Sequence, residues 1–317
     1  MRIVSLLPGL TEICYSLGLG HDLVAVTHEC DYPSGASSIP QITRSTLPDQ
    51  ATTSAEIDQQ VRAALAAGEP LYELDVDQLR QLRPDLILTQ DLCHVCALTS
   101  DDIREIARSL DPVPEVISST PHSLDDVLNS IHQIGRATGR TATAAAVGQA
   151  LQRRIDRIRE QVSRVEHRSR VVCLEWLDPP MVAGHWVPEL VDIAGGIDLL
   201  GKAGEPSFEI TWQDVIDADP DVIVLMPCGL SVRDTAAEVT RLVEQQGAVP
   251  AAIEQTSAVR DGHVCVVDGS AYFSRPGPRL INGLEILTGI LHAELAVGPT
   301  PPGSVHPVQL VPVGIHR

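Results

Sequence analysis

The sequence predicts an α/β protein of two Rossmann-like lobes bridged by one long helix, on three observations. Short apolar strands alternate with helical stretches in both halves of the chain. Residues 75–88 and 211–224 align without a gap, and in each a capped helix ends at Pro-Asp and enters a strand. Between the halves, Val147, Leu151, Ile155, Ile158, Val162 and Val165 recur at spacings of three and four, the single apolar stripe of a helix.

Taken in order, the apolar run at residues 4–6 reads as the first strand, followed by a turn at Pro8-Gly9. A helix over 11–17 is stopped by Gly18 and Gly20. Residues 23–27 form the next strand. Thr53 and Glu56 have capping-box spacing and open a helix to about Ala67. Asp75 caps a short helix that Pro84 ends, and 86–89 is a buried strand. The second half repeats this with strands at 171–174, 222–225 and 263–267. No strand pattern occurs from 123 to 168, although Gly139 interrupts the helical one, and a helix over 141–167 would be ~40 Å long. The predicted layout is a lobe over 1–121, a bridging helix over 122–168, a second lobe over 169–293 and a tail over 294–317. Rich in Pro and Gly, that tail is expected to wind over the surface.

Composition narrows the function. The chain has 317 residues, 44% of them hydrophobic, which is enough to bury a sizeable core. With 23 Lys+Arg against 42 Asp+Glu, the formal charge is −19. Such a chain repels phosphate backbones, so no nucleic-acid partner is expected. No apolar stretch approaches the ~20 residues of a membrane helix, so no membrane insertion is expected. The opening Met1-Arg2 runs directly into a strand and carries no leader pattern, which predicts a cytoplasmic protein, or a periplasmic one if a leader was removed. Seven cysteines, an odd number, point to reduced thiols rather than a disulfide framework.

Ligands of open α/β sheets sit beyond the carboxyl ends of the strands, so the residues following each strand are the candidates. They are Tyr32 after the second strand, then Gln90 and Asp91, then Glu175 and Trp176 with His185 and Trp186 close behind, and finally Tyr272, Phe273 and Arg275. The chain has only nine aromatic residues, yet five fall here: Tyr32, Trp176, Trp186, Tyr272 and Phe273. Rings beside polar groups suit a large, flat, partly apolar ligand. His185 is isolated, a pattern that also fits a hydrogen-bonded structural histidine. Cys93 and Cys96 form a C-x-x-C element, and His28 and Cys30 stand at a neighbouring strand end. Those four could converge on one metal ion. Equally, they could be partly buried, inert thiols with a nearby imidazole. Cys14, Cys173 and Cys265 lie inside predicted elements and read as packing residues. There is no phosphate loop, G-x-S-x-G elbow or H-E-x-x-H motif.

Several motifs together resemble the substrate-binding proteins of ABC importers for vitamin B12 and iron chelates, a class III periplasmic-binding-protein-like fold. They are residues 2–8 with Thr11-Glu12, Asp31-Tyr32-Pro33, residues 82–88, Asp178-Pro179-Pro180 with Gly184, residues 219–224, and residues 275–279. The resemblance covers about 1–293 and is greatest to the cobalamin-binding branch, in a cytosolic-looking subgroup. It implies non-catalytic binding of a cobalamin-like corrinoid or related metal chelate in a cleft between lobes. Tyr32, Trp176, Trp186, Tyr272 and Phe273 would supply apolar contact, and Arg275 would meet acidic or amide substituents. It also implies that Asp214 and one of Asp101 or Asp102 dock on an ABC permease, although the missing leader predicts no permease partner. The alternative is a cytosolic metalloprotein or enzyme holding Zn or an iron–sulfur cluster on His28, Cys30, Cys93 and Cys96.

Overall fold

The structure is a computed structural model that describes residues 1–48, 53–91, 100–245, 248–295, 298 and 301–310. The chain divides into two compact units. The first holds Met1–Thr52, Gln59–Leu151 and Pro276–Pro278, and the second holds Thr53–Asp58, Gln152–Arg275 and Arg279–Arg317.

In the first unit, β1 (Ile3–Ser5) leads into α1 (Pro8–Ser16), then β2 (Leu23–Ala25), β3 (Thr43–Ser45) and α2 (Ser54–Ala67). Next come β4 (Tyr72–Leu74), α3 (Val76–Leu82), β5 (Leu86–Gln90), α4 (Ser100–Arg108), β6 (Glu115–Ser119), α5 (Leu124–Ala137) and α6 (Thr141–Val162). The first turn of α2 belongs to the second unit, and the division falls within α6, after Leu151. Helix α1 starts at Pro8 rather than Thr11. Proline fits the first helical position, where its missing N–H would have no partner anyway. Strands β2-β1-β5-β6 form a parallel sheet, and β3 pairs antiparallel with β4. The order reverses direction between β1 and β5, so their carboxyl ends mark a topological switch point. Val4, Leu6, Ile87, Ile103 and Leu79 build the core on one face of this sheet.

The second unit contains β7 (Arg170–Leu177), β8 (Pro180–Val182), α7 (Val187–Ile193), β9 (Ile197–Asp198), β10 (Phe208–Glu209), α8 (Trp212–Ala218) and β11 (Val222–Leu225). It continues through α9 (Val232–Glu244), α10 (Ser257–Arg260), β12 (Val264–Val267), α11 (Gly269–Tyr272), α12 (Leu280–Leu291) and β13 (Val305–Pro307). Its sheet runs β10-β8-β7-β11-β12-β13, with β9 pairing parallel to the first residues of β7. Strands β7, β11 and β12 are parallel, whereas β8, β10 and β13 are antiparallel additions.

Two sequence expectations are corrected here. The span 122–168 is not one helix, because α5 and α6 are separated by a turn at Gly139, whose φ is +69°. Nor does the tail simply wind over the surface. Val305 pairs with Val267, and Leu310 is buried in the core beside Val264 and Val266. A proline-rich strand is tolerated there because β13 is an edge strand.

The repeat noted in the sequence is atomic in detail. Asp75 accepts the Gln78 N–H at 2.8 Å and caps α3, just as Thr211 accepts the Asp214 N–H at 3.2 Å and caps α8. Both helices end on a left-handed residue before the proline, Arg83 (φ 44°) and Asp219 (φ 43°).

Candidate functional site

At the carboxyl edge of the first unit's sheet, a buried chain of hydroxyls joins three elements. Thr11 donates to Ser5 Oγ at 2.8 Å, and Ser5 donates to the Leu7 carbonyl at 3.1 Å. The Cys30 sulfur lies 3.2 Å from the hydroxyls of both Thr11 and Thr27. Cys30 is only 2% exposed, and its thiol lies in an interior polar network. Cys93 and Cys96 lie outside the described residues. Among the described residues, no group of three or more His, Cys, Asp and Glu side chains is arranged to hold a metal ion.

His28, two residues before Cys30, behaves differently. Its backbone N–H donates to Thr43 Oγ1 at 3.2 Å, and its ring Nδ1 lies 2.8 Å from the same oxygen. The imidazole lies beside the Tyr72 ring, with centroids 5.7 Å apart. Tyr32, on the same loop, is 48% exposed, unusual for so large an apolar ring. Gln90 ends β5 in register with Ser119 and is buried. Asp91 accepts the Ser100 N–H at 2.7 Å and the Ser118 hydroxyl at 3.1 Å, and also takes a short hydrogen bond from the Ser100 hydroxyl. Partial burial alone would raise its pKa. The hydrogen bonds from Ser100 and Ser118 and the charge of Arg104 outweigh that and hold Asp91 below the ordinary carboxylate range. Its carboxylate therefore ties the start of α4 to β6.

In the second unit, the strand-end aromatics separate into two groups. Trp186 is 3% exposed and its indole N–H donates to the Phe273 carbonyl at 2.7 Å, while Phe273 itself is 2% exposed. These two, expected as ligand contacts, are interior residues. A strand end places a residue near the edge without deciding which way its side chain turns. Trp176 is half-buried at the end of β7, opposite Met181, and its indole nitrogen is buried with no partner among the described residues. Tyr272 is half-buried beneath the Arg279 guanidinium, 5.7 Å from the ring centroid, and Glu175 and Arg275 are half-buried nearby in the sequence of strand ends. His185 adopts φ +52°, its backbone N–H donating to the Glu205 carbonyl at 2.7 Å. The adjoining Gly184 is required, since a Cβ there would come within 2.4 Å of that same carbonyl oxygen.

Two further residues on this unit were not among the predicted site residues. Phe208 of β10 pairs with Val182 and carries the Lys202 ammonium 5.2 Å from its ring centroid. Cys228 follows β11 and is exposed, its N–H donating to the Glu175 carbonyl at 3.2 Å. Phe208 sits in a two-residue strand with little apolar signal around it. Cys228 was visible after the Val-Ile-Val-Leu run but had no companion motif.

The two α/β units have counterparts among known proteins. The chain matches the periplasmic binding protein family over residues 3–271. It belongs to that family. Among relatives, the vitamin B12-binding protein of Vibrio parahaemolyticus is 20% identical over 285 residues, covering 89% of this chain and 86% of the relative. An uncharacterized ABC transporter substrate-binding lipoprotein of Bacillus subtilis is 24% identical, covering 92% of this chain and 80% of the relative. Among solved structures, a periplasmic heme-binding protein of Pseudomonas aeruginosa superposes with a TM-score of 0.71 at 17% identity, covering 98% of both chains. The periplasmic vitamin B12-binding protein of Vibrio cholerae gives 0.64 at 21% identity, covering 92% of this chain and 96% of that one. These neighbours share the fold, and they carry names for periplasmic rather than cytoplasmic proteins. The cytoplasmic expectation therefore finds no support among them.

Proposed function

We propose that this periplasmic binding protein captures a tetrapyrrole-sized metal chelate, a corrinoid or a heme, without transforming it. The observation that carries this reading is the family match over residues 3–271, with relatives named for vitamin B12 and neighbours named for heme. On the first unit, His28 and Tyr32 are the ligand-facing groups. On the second, Trp176, Tyr272 and Arg275 are, with Glu175 and His185 beside them. A flat macrocycle with polar substituents suits exposed and half-buried rings for its faces and a guanidinium for its carboxylate or amide arms. The reading includes an importer permease as partner and a place on its extracytoplasmic side, because the Bacillus subtilis relative is named as an ABC transporter component.

The Zn or iron–sulfur alternative has no support among the relatives, whose names are for vitamin B12 and heme. Equilibrium dialysis against hemin and against hydroxocobalamin tests the proposal. One of the two is expected to bind at one equivalent, with quenching of tryptophan fluorescence. Absence of binding by either, with the fold intact by circular dichroism, rejects the reading.

A further inference from the structure

We propose that the second unit carries another ligand site, at the amino ends of its strands, for a small organic anion with an apolar body, and that Arg159 meets the anionic group. This site stands independently of the chelate-binding reading above.

An open cavity of about 430 Å³ lies between the last turn of α6, the chain leading into β7, and α7. That volume falls in the ~300–1,000 Å³ range of small-molecule sites. Every residue lining it belongs to the second unit. Strand β7 begins at Arg170, just after this part of the chain, and Trp176 lies near its other end, ~20 Å further along at ~3.3 Å per residue. The cavity is therefore separate from the carboxyl strand ends.

Its wall is apolar: Ile193 is buried, and Val162 and Val165 are half-buried. Its rim is charged, and three of the four charged side chains are already engaged. Arg168 donates to Asp192 Oδ1 at 2.6 Å and also to the Gly196 carbonyl, so that pair neutralises itself. Glu189 stands in the first turn of α7, where the helix amides favour its charge, and it has a partner of its own. Arg159 differs. It approaches Asp156 only to 3.6 Å, beyond hydrogen-bond length, and an exposed ion pair of that kind contributes little. One uncommitted cation thus stands beside an apolar wall. The surroundings favour an anion too: in a chain of formal charge −19, residues 153–170 hold seven arginines and three acidic residues.

The wall also holds an unpaired polar group. Gly195 follows α7 in the left-handed region, with φ +85°. A Cβ there would come within 2.6 Å of Val162 Cγ1 and 2.7 Å of His292 Nε2, so the glycine keeps a notch open between the two. His292 is 4% exposed, and its Nε2 has no partner among the described residues. A buried polar atom is costly to leave unpaired. With the proton on Nε2, the imidazole donates to an oxygen of the anion.

Equilibrium dialysis of the full chain against anilinonaphthalene sulfonate, an anion on an apolar ring system, tests this. One equivalent should bind, with near-UV circular dichroism native in the parent and in every variant. Inorganic sulfate should not displace it, because sulfate has no apolar body to set against the wall. Arg159→Gln should weaken binding about tenfold through loss of a charge-assisted hydrogen bond. Val165→Glu, which puts a carboxylate on the wall, should weaken it at least as much. Arg153→Gln removes an exposed arginine of the same helix that does not line the cavity, and it should leave binding unchanged. Equal losses in Arg153→Gln and Arg159→Gln would reveal a diffuse basic surface and overturn the site. So would failure of the probe to bind, or binding that Trp176→Ala abolishes, which would place the probe at the carboxyl strand ends instead.

Discussion

Asp85 accepts the backbone N–H of Arg2 at 2.7 Å, tying the strand after α3 to the first residue ahead of β1. The second unit repeats the arrangement, with Asp221 accepting the Arg170 N–H at 2.8 Å. In both, the arginine side chain then reaches the helix that ends before the proline: Arg2 Nε donates to the Leu82 carbonyl at 2.6 Å, and Arg170 to the Asp219 carbonyl at 2.8 Å. One Arg thus satisfies carbonyls that the helix end leaves open, while one Asp satisfies the strand's first N–H. The Pro-Asp pair in the sequence is the visible part of this joint. The Asp is its acceptor, and the left-handed residue before the proline turns the chain back towards the sheet.

The joint should be measurable. Asp221 is half-buried and Asp85 is exposed. Asp221→Ala is therefore expected to cost about 1–2 kcal/mol in urea denaturation, and Asp85→Ala less than about 1 kcal/mol, because water replaces the lost acceptor more readily at the exposed site. Asn at either position keeps an acceptor oxygen and should recover most of the loss. Equal losses for the two alanine variants would show that burial does not set the strength of this joint.

Asp198 predicts an unusual pH dependence. Its Oδ1 accepts the N–H groups of Leu200 and Gly201 at 3.1 and 2.6 Å, while Oδ2 is buried with no partner among the described residues. Burial pushes its pKa up to about 6, against the smaller opposing effect of those two hydrogen bonds. The folded state therefore binds the proton more tightly than the unfolded chain. This contribution to stability is fully present below the unfolded value near 3.8 and is lost as pH rises through about 6. The change corresponds to about 3 kcal/mol across the window. Asp198→Asn, which keeps the Oδ1 acceptor without the charge, should raise Tm at pH 7.5 and leave it nearly unchanged at pH 4. A variant less stable than the parent at pH 7.5 would show that the charge is not the penalty.

The two tryptophans at strand ends should separate in experiment as they do in space. Trp186 is interior and hydrogen-bonded to Phe273, so Trp186→Ala is expected to cost roughly 3–5 kcal/mol of stability. Trp176 is half-buried, and Trp176→Ala should cost about 1 kcal/mol while removing most of the ligand-induced fluorescence change. Trp212, buried in the second unit's core, stays as the reporter of intact packing. Full quenching in Trp176→Ala would remove this residue from the site.

How far these features were legible depends on whether the signal was local. The strand–helix alternation, the Pro-Asp joints and the helical stripe of α6 are set by neighbours a few residues apart, and they could be read. The stripe ends as a helix at Val162, and Val165 lies beyond it, half-buried, so periodicity placed the end a few residues late. Side-chain direction could not be read in the same way. Trp176 lies near the end of β7 and Trp186 follows β8, yet the first is half-buried and the second is buried and bonded to the Phe273 carbonyl. The partner of His28 is fifteen residues away on another strand, and nothing in the His-Glu-Cys-Asp run points to Thr43. Cys30 drew attention by standing with His28 at a strand end, but nothing nearby in the sequence points to the hydroxyls of Thr11 and Thr27 that surround its sulfur.

The thiols give the last prediction. Burial pushes Cys14 up to about 12, helped by the charge of Asp22 and the nearby Cys30. Burial likewise raises Cys265 to about 12 and Cys173 well above the ordinary thiol range, Asp198 adding to the latter. The thiolate is the nucleophile, and at pH 8 a thiol of pKa about 12 is ionised to roughly one part in ten thousand. Access is closed as well, since Cys173 and Cys265 flank Val224 in the middle of the parallel sheet. Cys228 sits exposed after β11. Iodoacetamide at pH 8 followed by peptide mass mapping should find Cys228 alkylated in the native protein, with Cys14, Cys173 and Cys265 modified only in denaturant. Alkylation of Cys173 in the native state at a rate close to that of Cys228 would mean that β7 and β11 part readily. A sheet whose central strands separate on that timescale could not hold Trp176 and Glu175 in fixed positions for a ligand.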